Sequence, residues 1–306
     1  MTQTSSPSAT TCGFVAVIGA PNAGKSTLVN ALVGEKVSIV SPKVQTTRAR
    51  VLGIALDGTA QMILIDTPGL FAPQTRLDRA MVSAAWNGAA DGDVVVYVFD
   101  AKKKGANEAD RKVLEKLKDI AQDRPVILVL NKVDLIDKPK LLVLTADMNA
   151  RCPFAATFMI SALNGDGVAD IKKYLSNKMP HNEWIFDAEQ TTDMPMRLLA
   201  AEITREQVFL QLHEEIPYAI TVETEVWEEF DNGDVRIQQL IHVEHDKQKA
   251  IVLGKGGTRL REIGARARAQ LEEIFGRNVH LKLFVRVTTK WKDDPLYYAM
   301  WGLGES

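Results

Sequence analysis

Four short segments combine residue types and spacings suited to a phosphorylated purine. The first is Gly19-Ala20-Pro21-Asn22-Ala23-Gly24-Lys25-Ser26, followed by Thr27, and it fits G-x-x-x-x-G-K-[ST] in full. Its glycines let backbone N–H groups curl around a phosphate, and a helix starting at Lys25 adds the positive end of its dipole. Lys25 is then placed for the β- and γ-phosphates, and Ser26 for Mg²⁺. The second segment, Asp66-Thr67-Pro68-Gly69, closes an apolar run. A carboxylate at the carboxyl edge of a parallel sheet, beside the phosphate loop, can hold Mg²⁺ through water. Gly69 has no side chain, so its N–H can approach a γ-phosphate closely.

The third segment, Asn131-Lys132-Val133-Asp134, reads the base. Guanine presents N1–H and N2–H₂ as donors, and the Asp134 carboxylate accepts both. Adenine has no such pair, so Asp134 excludes ATP. Asn131 can tie the base loop to the phosphate loop, and the Lys132 stem can lie on the purine face. In the fourth segment, Ser161-Ala162, a backbone N–H is in place for guanine O6. Each string alone is a common turn or surface string. Their order after a phosphate loop is what specifies guanine.

These loops need a scaffold that delivers them to one edge. Nearly continuous, β-branched apolar runs predict buried strands at Phe14–Gly19, Val51–Leu56, Met62–Asp66, Val94–Asp100, Val126–Leu130 and Thr157–Ser161. Amphipathic stretches between them predict helices at Lys25–Val33, Leu77–Ala90, Glu108–Asp123, Lys138–Ala150 and Val168–Asn177. Such alternation predicts a mostly parallel six-stranded sheet with helices on both faces. Met62–Asp66 pairs antiparallel with Val51–Leu56 across the turn Asp57-Gly58.

The pattern changes after Lys178. Pro180, Asp187, Asp193 and Pro195 mark a boundary. Beyond it the expected order is helix Met196–His213, strands Ala219–Glu228 and Arg236–His245, a short strand Ala250–Leu253, helix Thr258–Phe275 and strand His280–Thr288. This makes a smaller α+β domain. It carries a second chemistry in Gly254-Lys255-Gly256-Gly257, a G-x-x-G loop opening a helix with Arg259, Arg261, Arg266 and Arg268. A Cβ in such a loop would hold a sugar-phosphate chain away, and the arginines neutralise phosphates. Ile251, Leu253, Leu260 and Ile263 supply groove and core. Charge is segregated here. From His213 to Asp246 there are ten acidic residues and one basic, and from Lys247 to Lys292 twelve basic and three acidic. That switch, −9 to +9, predicts one acidic and one basic face. The basic face suits a polyanion, or both faces are merely solvated.

The set Gly19–Ser26, Thr46-Thr47-Arg48, Asp66–Gly69, Asn131–Asp134 and Ser161-Ala162 resembles the five motifs of Ras-like GTPases. Pro21-Asn22-Ala23 with Thr46-Thr47-Arg48 is similar to the bacterial branch that includes the Era, Der and MnmE families. The resemblance implies that switch I, Gln45-Thr46-Thr47-Arg48, closes Thr47 over Mg²⁺ and the γ-phosphate when GTP is bound. Ras-type proteins place a water-orienting Gln after the Asp-x-x-Gly motif, but this chain has Leu70, so slow intrinsic turnover is expected. That branch often recruits K⁺ where an arginine finger would sit, and Asn22 occupies the position that ligates it. The α-β-β-then-α-β order with G-x-x-G resembles a type-2 KH domain. A Ras-like GTPase domain followed by such a domain is similar, over almost the whole chain, to the Era family. That resemblance implies binding to the 3′ region of small-subunit ribosomal RNA, help in assembling the 30S particle, a monomeric chain in the cytoplasm, and peripheral association with the inner membrane.

The expected division is a disordered tail (1–11), a GTPase domain (12–179), a linker (180–195), a KH domain (196–290) and a tail (291–306). Lys290-Trp291-Lys292 and Leu296–Trp301 mix cations with rings, which suits single-stranded RNA and a packed segment equally. The remaining composition is ordinary for 306 residues: net charge −2, 46% hydrophobic and 25% charged. No apolar run reaches the ~20 residues of a membrane span. The Ser- and Thr-rich start does not read as a secretory signal. Cys12 and Cys152 read as small buried hydrophobes, with no disulfide or metal spacing. Two rival readings share these residues. One is a KH RNA chaperone whose nucleotide domain hardly turns over. The other is a membrane-signalling GTPase whose basic face meets anionic lipid, against which the G-x-x-G loop counts.

The base assignment is testable. Asp134→Asn swaps one acceptor for a donor, and xanthine carries a carbonyl at position 2. Preference should move from guanosine toward xanthosine nucleotides, with a loss for GTP of about 1–3 kcal/mol or more in a binding titration. Unchanged GTP affinity would refute it.

Overall fold

A computed structural model describes residues 10–103, 105–212, 220–289, 291 and 303. They form two compact units: residues 10–38 with 47–193 and 303, and residues 39–46 with 194–291.

In the first unit, runs of buried Val, Ile and Leu form β1 (Thr11–Gly19), β2 (Val51–Asp57), β3 (Ala60–Asp66), β4 (Val94–Asp100), β5 (Val126–Asn131) and β6 (Ala156–Ile160). The sheet order is β2-β3-β1-β4-β5-β6, with β2 antiparallel to β3 and every other pair parallel. Helices α1 (Lys25–Val33) and α5 (Val168–Ser176) cover one face. Helices α2 (Arg76–Asp91), α3 (Glu108–Asp123) and α4 (Lys138–Arg151) cover the other. Capping boxes at Thr75/Asp78 and Asn107/Asp110 start α2 and α3. Because β1, β3, β4, β5 and β6 run the same way, Gly19, Asp66, Asp100, Asn131 and Ile160 all end at one edge. That edge collects the loops that carry chemistry.

Two expectations are corrected in this unit. Thr11, read as tail, begins β1 and pairs with Ala60, while residues 1–9 lie outside the described residues. The stretch read as a linker is fastened to the sheet through Asp193. The buried Gln61 Oε1 accepts from the N–H groups of Ile185 (2.9 Å) and Phe186 (3.1 Å), and its Nε2 donates to the Phe186 carbonyl (2.8 Å). Ile54 N–H donates to the Thr191 carbonyl at 2.8 Å, and the Thr192 hydroxyl donates to the Leu52 carbonyl at 2.7 Å. The exposed edge of β2 thus gains a partner, which protects its unpaired backbone groups. Cys12 and Cys152 are both buried, as expected. Burial pushes both thiols up, Cys152 to about 11.

The second unit holds α6 (Met196–Gln211), β7 (Thr221–Glu229), β8 (Val235–Val243), α7 (Asp246–Leu253), α8 (Thr258–Phe275) and β9 (Val279–Val287). Its sheet runs β7-β8-β9, antiparallel then parallel, over a core that includes Phe209, Ile241, Val252 and Ile263. Residues Ala250–Leu253, expected as a strand, form the last turn of α7. Four apolar residues in a row carry no period that separates helix from strand. Gln248 decides it, because its Oε1 accepts from the N–H groups of Glu244 (2.8 Å) and His245 (3.1 Å) and starts a helix. Only Val252 of that helix is buried. The last residue of the helix expected at Met196–His213 and the first of the strand expected at Ala219–Glu228 lie outside the described residues.

Residues 39–46 pack in this second unit. Ile39 is buried with Leu199, Ala200 and Ile203. The Glu206 carboxylate accepts from the Val40 N–H at 2.6 Å, and Arg205 donates to the Thr46 carbonyl at 2.6 Å while paired with Glu202. Trp291 is buried, so its ring serves packing and not base stacking; Lys290, Lys292 and Leu296–Trp301 lie outside the described residues. Among the described residues no helix is long and apolar enough to cross a membrane.

Candidate functional site

The phosphate loop is held in a shape that only its own residues permit. Gly19 (φ +154°) and Gly24 (φ +96°) take left-handed backbone, and a Cβ would sit 2.3 Å from the Val98 carbonyl oxygen and 2.1 Å from Asn131 Nδ2 respectively. Asn22 is also left-handed, a conformation its short polar side chain tolerates. Lys25 is buried at the first position of α1, and its ammonium donates to the carbonyls of Gly19 (3.2 Å) and Ala20 (3.1 Å). Burial lowers its pKa to about 8, partly opposed by Asp66. Pro21, Ala23 and Thr27 complete the turn into α1, with Ala23 buried.

The three side chains expected around Mg²⁺ meet. Ser26 Oγ donates to Asp66 Oδ2 at 2.6 Å and lies 2.9 Å from Thr47 Oγ1. Asp66 is fully buried, and burial raises its pKa against the pull of Ser26, Lys25 and Ser38. Its Oδ1 is buried without a protein hydrogen bond. One carboxylate, with one of its oxygens unengaged, and two hydroxyls make a hard oxygen set of the kind Mg²⁺ accepts along with water and phosphate. Among the described residues no three His, Cys, Asp or Glu gather for a metal, and a nucleotide would supply the remaining ligands. Ser38, which sequence reasoning missed, also donates to Asp66 Oδ2, at 2.8 Å. No motif marks it, since it lies between an ordinary loop and switch I.

Gln45 (φ +56°) and Thr46 are grouped with the second unit, Thr47 and the buried Arg48 with the first. The Thr46 hydroxyl donates to the Lys43 carbonyl at 2.7 Å and lies 2.6 Å from Ser41 Oγ. After Asp66, the Thr67 hydroxyl donates to the Val17 carbonyl at 2.8 Å, and Pro68 is buried. Gly69 lies so close to the phosphate loop that a Cβ would stand 2.8 Å from Pro21 N. Leu70 is buried in the core under α2 and α3, so it neither orients a water nor faces the phosphates.

Asn131 joins the base loop to the phosphate loop. Its Nδ2 donates to the Ala23 carbonyl at 2.8 Å, and its Oδ1 accepts from the N–H groups of Lys132 (2.8 Å) and Ala162 (2.9 Å). Lys132, left-handed at φ +66°, reaches the Asn22 carbonyl (2.6 Å) and Asp100 (2.7 Å). Its stem therefore spans the base and phosphate loops. Asp100, at the end of β4, was not foreseen. The Asp134 side chain is exposed and has no protein partner among the described residues. One expectation shifts. The Ala162 N–H is engaged by Asn131, and that of Ser161 by the Asp166 carbonyl at 3.1 Å, so neither points freely at O6. The Ser161 hydroxyl is buried without a protein hydrogen bond.

In the second unit, Gly254, Gly256 and Gly257 have φ of +69°, +61° and +76°. A Cβ on Gly254 would crowd Arg259, whereas Gly256 and Gly257 face open space. Lys255, Arg259, Arg261, Arg266 and Arg268 are all exposed. Arg266 pairs with Glu262 at 2.7 Å and Arg259 donates to the Ile251 carbonyl at 2.9 Å, while Lys255 and Arg261 have no partner among the described residues. Beside the loop lies a groove of about 430 Å³ with Gly257 and Arg261 on its rim and Leu260, Leu281 and Leu283 as its apolar wall. The β9 leucines were not foreseen, because only the parallel pairing of β9 with β8 brings them beneath α8. The Gly254 and Gly257 N–H groups donate within the chain, to the Ala250 (2.9 Å) and Gly254 (3.1 Å) carbonyls, so the loop offers a close backbone approach at Lys255-Gly256. With a basic rim and an apolar wall, that approach can hold a sugar-phosphate backbone with bases laid on the wall.

A family model described as 50S ribosome-binding GTPase matches residues 14–132, and one described as KH domain matches residues 215–292. The GTPase Era of Brucella suis biovar 1 (strain 1330) is 55% identical over 294 residues, covering 96% of this chain and 94% of that one. The GTPase Era of Bradyrhizobium diazoefficiens is 54% identical over 297 residues, covering 97% and 96%. Two solved structures superpose with a TM-score of 0.90 at 38% identity, covering 96% of this chain and 99% of theirs. One is Era in complex with MgGDPNP and nucleotides 1506–1542 of 16S ribosomal RNA, and the other is a point variant of Aquifex aeolicus Era bound to GDP·AlF4⁻.

The geometry separates two kinds of variant. Asn131→Ala removes a tie common to every nucleotide state, so GDP and GTP affinity should fall together, by about 1–3 kcal/mol. Thr47→Ala should weaken GTP binding and spare GDP. Parallel titrations with both nucleotides check this, and an equal loss in Thr47→Ala would remove its switch role.

Proposed function

The chain belongs to the Era family of GTPases, and from that premise we propose that it binds the 3′ region of small-subunit ribosomal RNA and assists 30S assembly. Nucleotide is held by Gly19–Thr27, Asp66–Gly69, Asn131, Lys132 and Asp134, with Ser161-Ala162 closing the base side of the site through the Asn131 carboxamide. Magnesium is held by Ser26 and Thr47 directly and by Asp66 through water. RNA is held by Gly254, Lys255, Gly256, Gly257, Arg259 and Arg261. The observation that carries the RNA half is the exposed loop of three left-handed glycines, opening a helix whose outward arginines border an apolar groove. The membrane-signalling alternative gains nothing from that loop, since lipid headgroups need no close backbone approach. Action as a cytoplasmic monomer, with peripheral contact at the inner membrane, belongs to the same proposal.

Slow turnover follows from Leu70. With no polar group to orient water, basal hydrolysis should fall on the order of 10⁻⁴–10⁻³ per second. K⁺ beside Asn22 raises the rate in this reading. Replacing Na⁺ with K⁺ should therefore accelerate phosphate release, and Asn22→Ala should abolish the difference. Equal rates in the two salts would take K⁺ out of the mechanism and leave the GTPase intact.

The RNA half is tested by Lys255→Asp with Gly256→Asp. Two carboxylates then face the phosphate chain at the point of closest approach, and like charges there oppose binding. Affinity for a fragment of the small-subunit RNA 3′ end should fall at least about tenfold, with a shallower salt dependence. GTP affinity, measured on the same protein, should not change. Full RNA affinity in the variant would show that the loop does not carry the RNA.

A further inference from the structure

On the sheet face covered by α2, α3 and α4, a groove of about 870 Å³, the α3–α4 groove, opens between α4 and the loop that leads from β4 into α3, with Arg111 of α3 on its wall. No motif falls in it, and the nucleotide chemistry does not use it. Its floor is the core-facing side of Leu144 and Ala106, both buried. Its mouth carries apolar side chains that cover nothing: Leu135 is 55% exposed and Val143 72%, and the adjacent Leu142 is 68% exposed. Two consecutive apolar residues on the solvent side of α4 contribute little to the core, and a β-branched Val there is no aid to the helix. The outward face of the neighbouring α3 is the usual kind, with Lys112, Glu115, Lys116 and Lys118 in solvent. A localised apolar patch with a charged rim marks an interaction surface.

The rim has a sign. Five lysines and arginines line the groove against two carboxylates, a net charge of +3 in a chain whose total is −2. The two carboxylates are already engaged, Asp137 by Lys140 at 2.6 Å and Asp147 by Arg151 at 2.7 Å. Lys102 and Arg111, on the opposite wall, reach no carboxylate at ion-pair distance among the described residues, Arg111 attracting Asp147 and Glu108 only from farther away. No aromatic residue lines the groove, so it offers no stacking platform for bases. Along α4, from Pro139 to Arg151, it runs roughly 18 Å at 1.5 Å per residue, the length of a short helix.

We propose that the α3–α4 groove docks an acidic, amphipathic helix of a partner protein, with its apolar side chains on Leu135 and Val143 and its carboxylates on Lys102 and Arg111. The apolar wall supplies burial, and the unpaired cations set the orientation.

The test uses the full chain loaded with GDP and two fluorescent helical peptides of about four turns. One has leucines on one face and glutamates on the flanks, and its twin has lysine in place of every glutamate. Fluorescence anisotropy should show the glutamate peptide binding at least about tenfold tighter than the twin and weakening with salt. Val143→Asp and Arg111→Glu, both at exposed positions, should each reduce that binding about tenfold, with GDP retention reporting that the variants are folded. No binding of the glutamate peptide, equal binding of the two peptides, or binding indifferent to both substitutions would overturn the proposal. Displacement by single-stranded RNA would also overturn it, because the peptide would then sit on the basic face of α8.

Discussion

The carboxamide of Asn131 is the joint on which the nucleotide site depends. One small side chain at the end of β5 donates to the phosphate loop through the Ala23 carbonyl and accepts from the base loop and from Ala162. A carboxamide offers a donor and an acceptor side by side on one short, rigid plane. Gly24 must be glycine because Asn131 stands where its Cβ would be. The contact therefore sets the residue types on both sides, and the separation of the phosphate and base subsites follows from it.

Around that joint the site gathers buried charge that the protein does not fully satisfy. Lys25 is lowered and Asp66 raised, each mainly by burial, and Asp66 keeps one oxygen without a hydrogen bond. Burial of unmatched polar groups costs stability, typically about 1–3 kcal/mol for a neutral group and more for a charged one. The arrangement is favourable when phosphate oxygens meet Lys25 and a magnesium ion meets Asp66, Ser26 and Thr47. In the proposed reading, a nucleotide with its metal would relieve groups that the fold holds ready.

The second unit uses glycine differently. In the phosphate loop, glycine is required because neighbouring atoms occupy the space of a Cβ. At Gly256 and Gly257 that space is open, and left-handed backbone is what excludes other residues. Open space above a strained loop is what a close-approaching backbone needs. The buried charges of α6, which hold residues 39–46 through Glu206 and Arg205, have no counterpart in a usual helix face and show how a polar interior is tolerated when backbone groups complete it.

Much of this was legible in the chain itself. The phosphate loop, the Asp66 turn, the Asn131–Asp134 segment and the G-x-x-G loop are local, each marked by fixed residue types at short spacing. The buried strands announced themselves by continuous β-branched runs, and the parallel order followed from helices between them. What lay between distant residues was decided only in three dimensions. Ser38 on Asp66, Asp100 on Lys132, Gln61 on residues 185–186 and the leucines of β9 under α8 carry no sequence mark, since any polar or apolar residue looks alike until the sheet brings it to its partner. The same reason explains the last turn of α7. Four apolar residues admit either helix or strand, and only the side chain of Gln248, folded back on two N–H groups, settled which one formed.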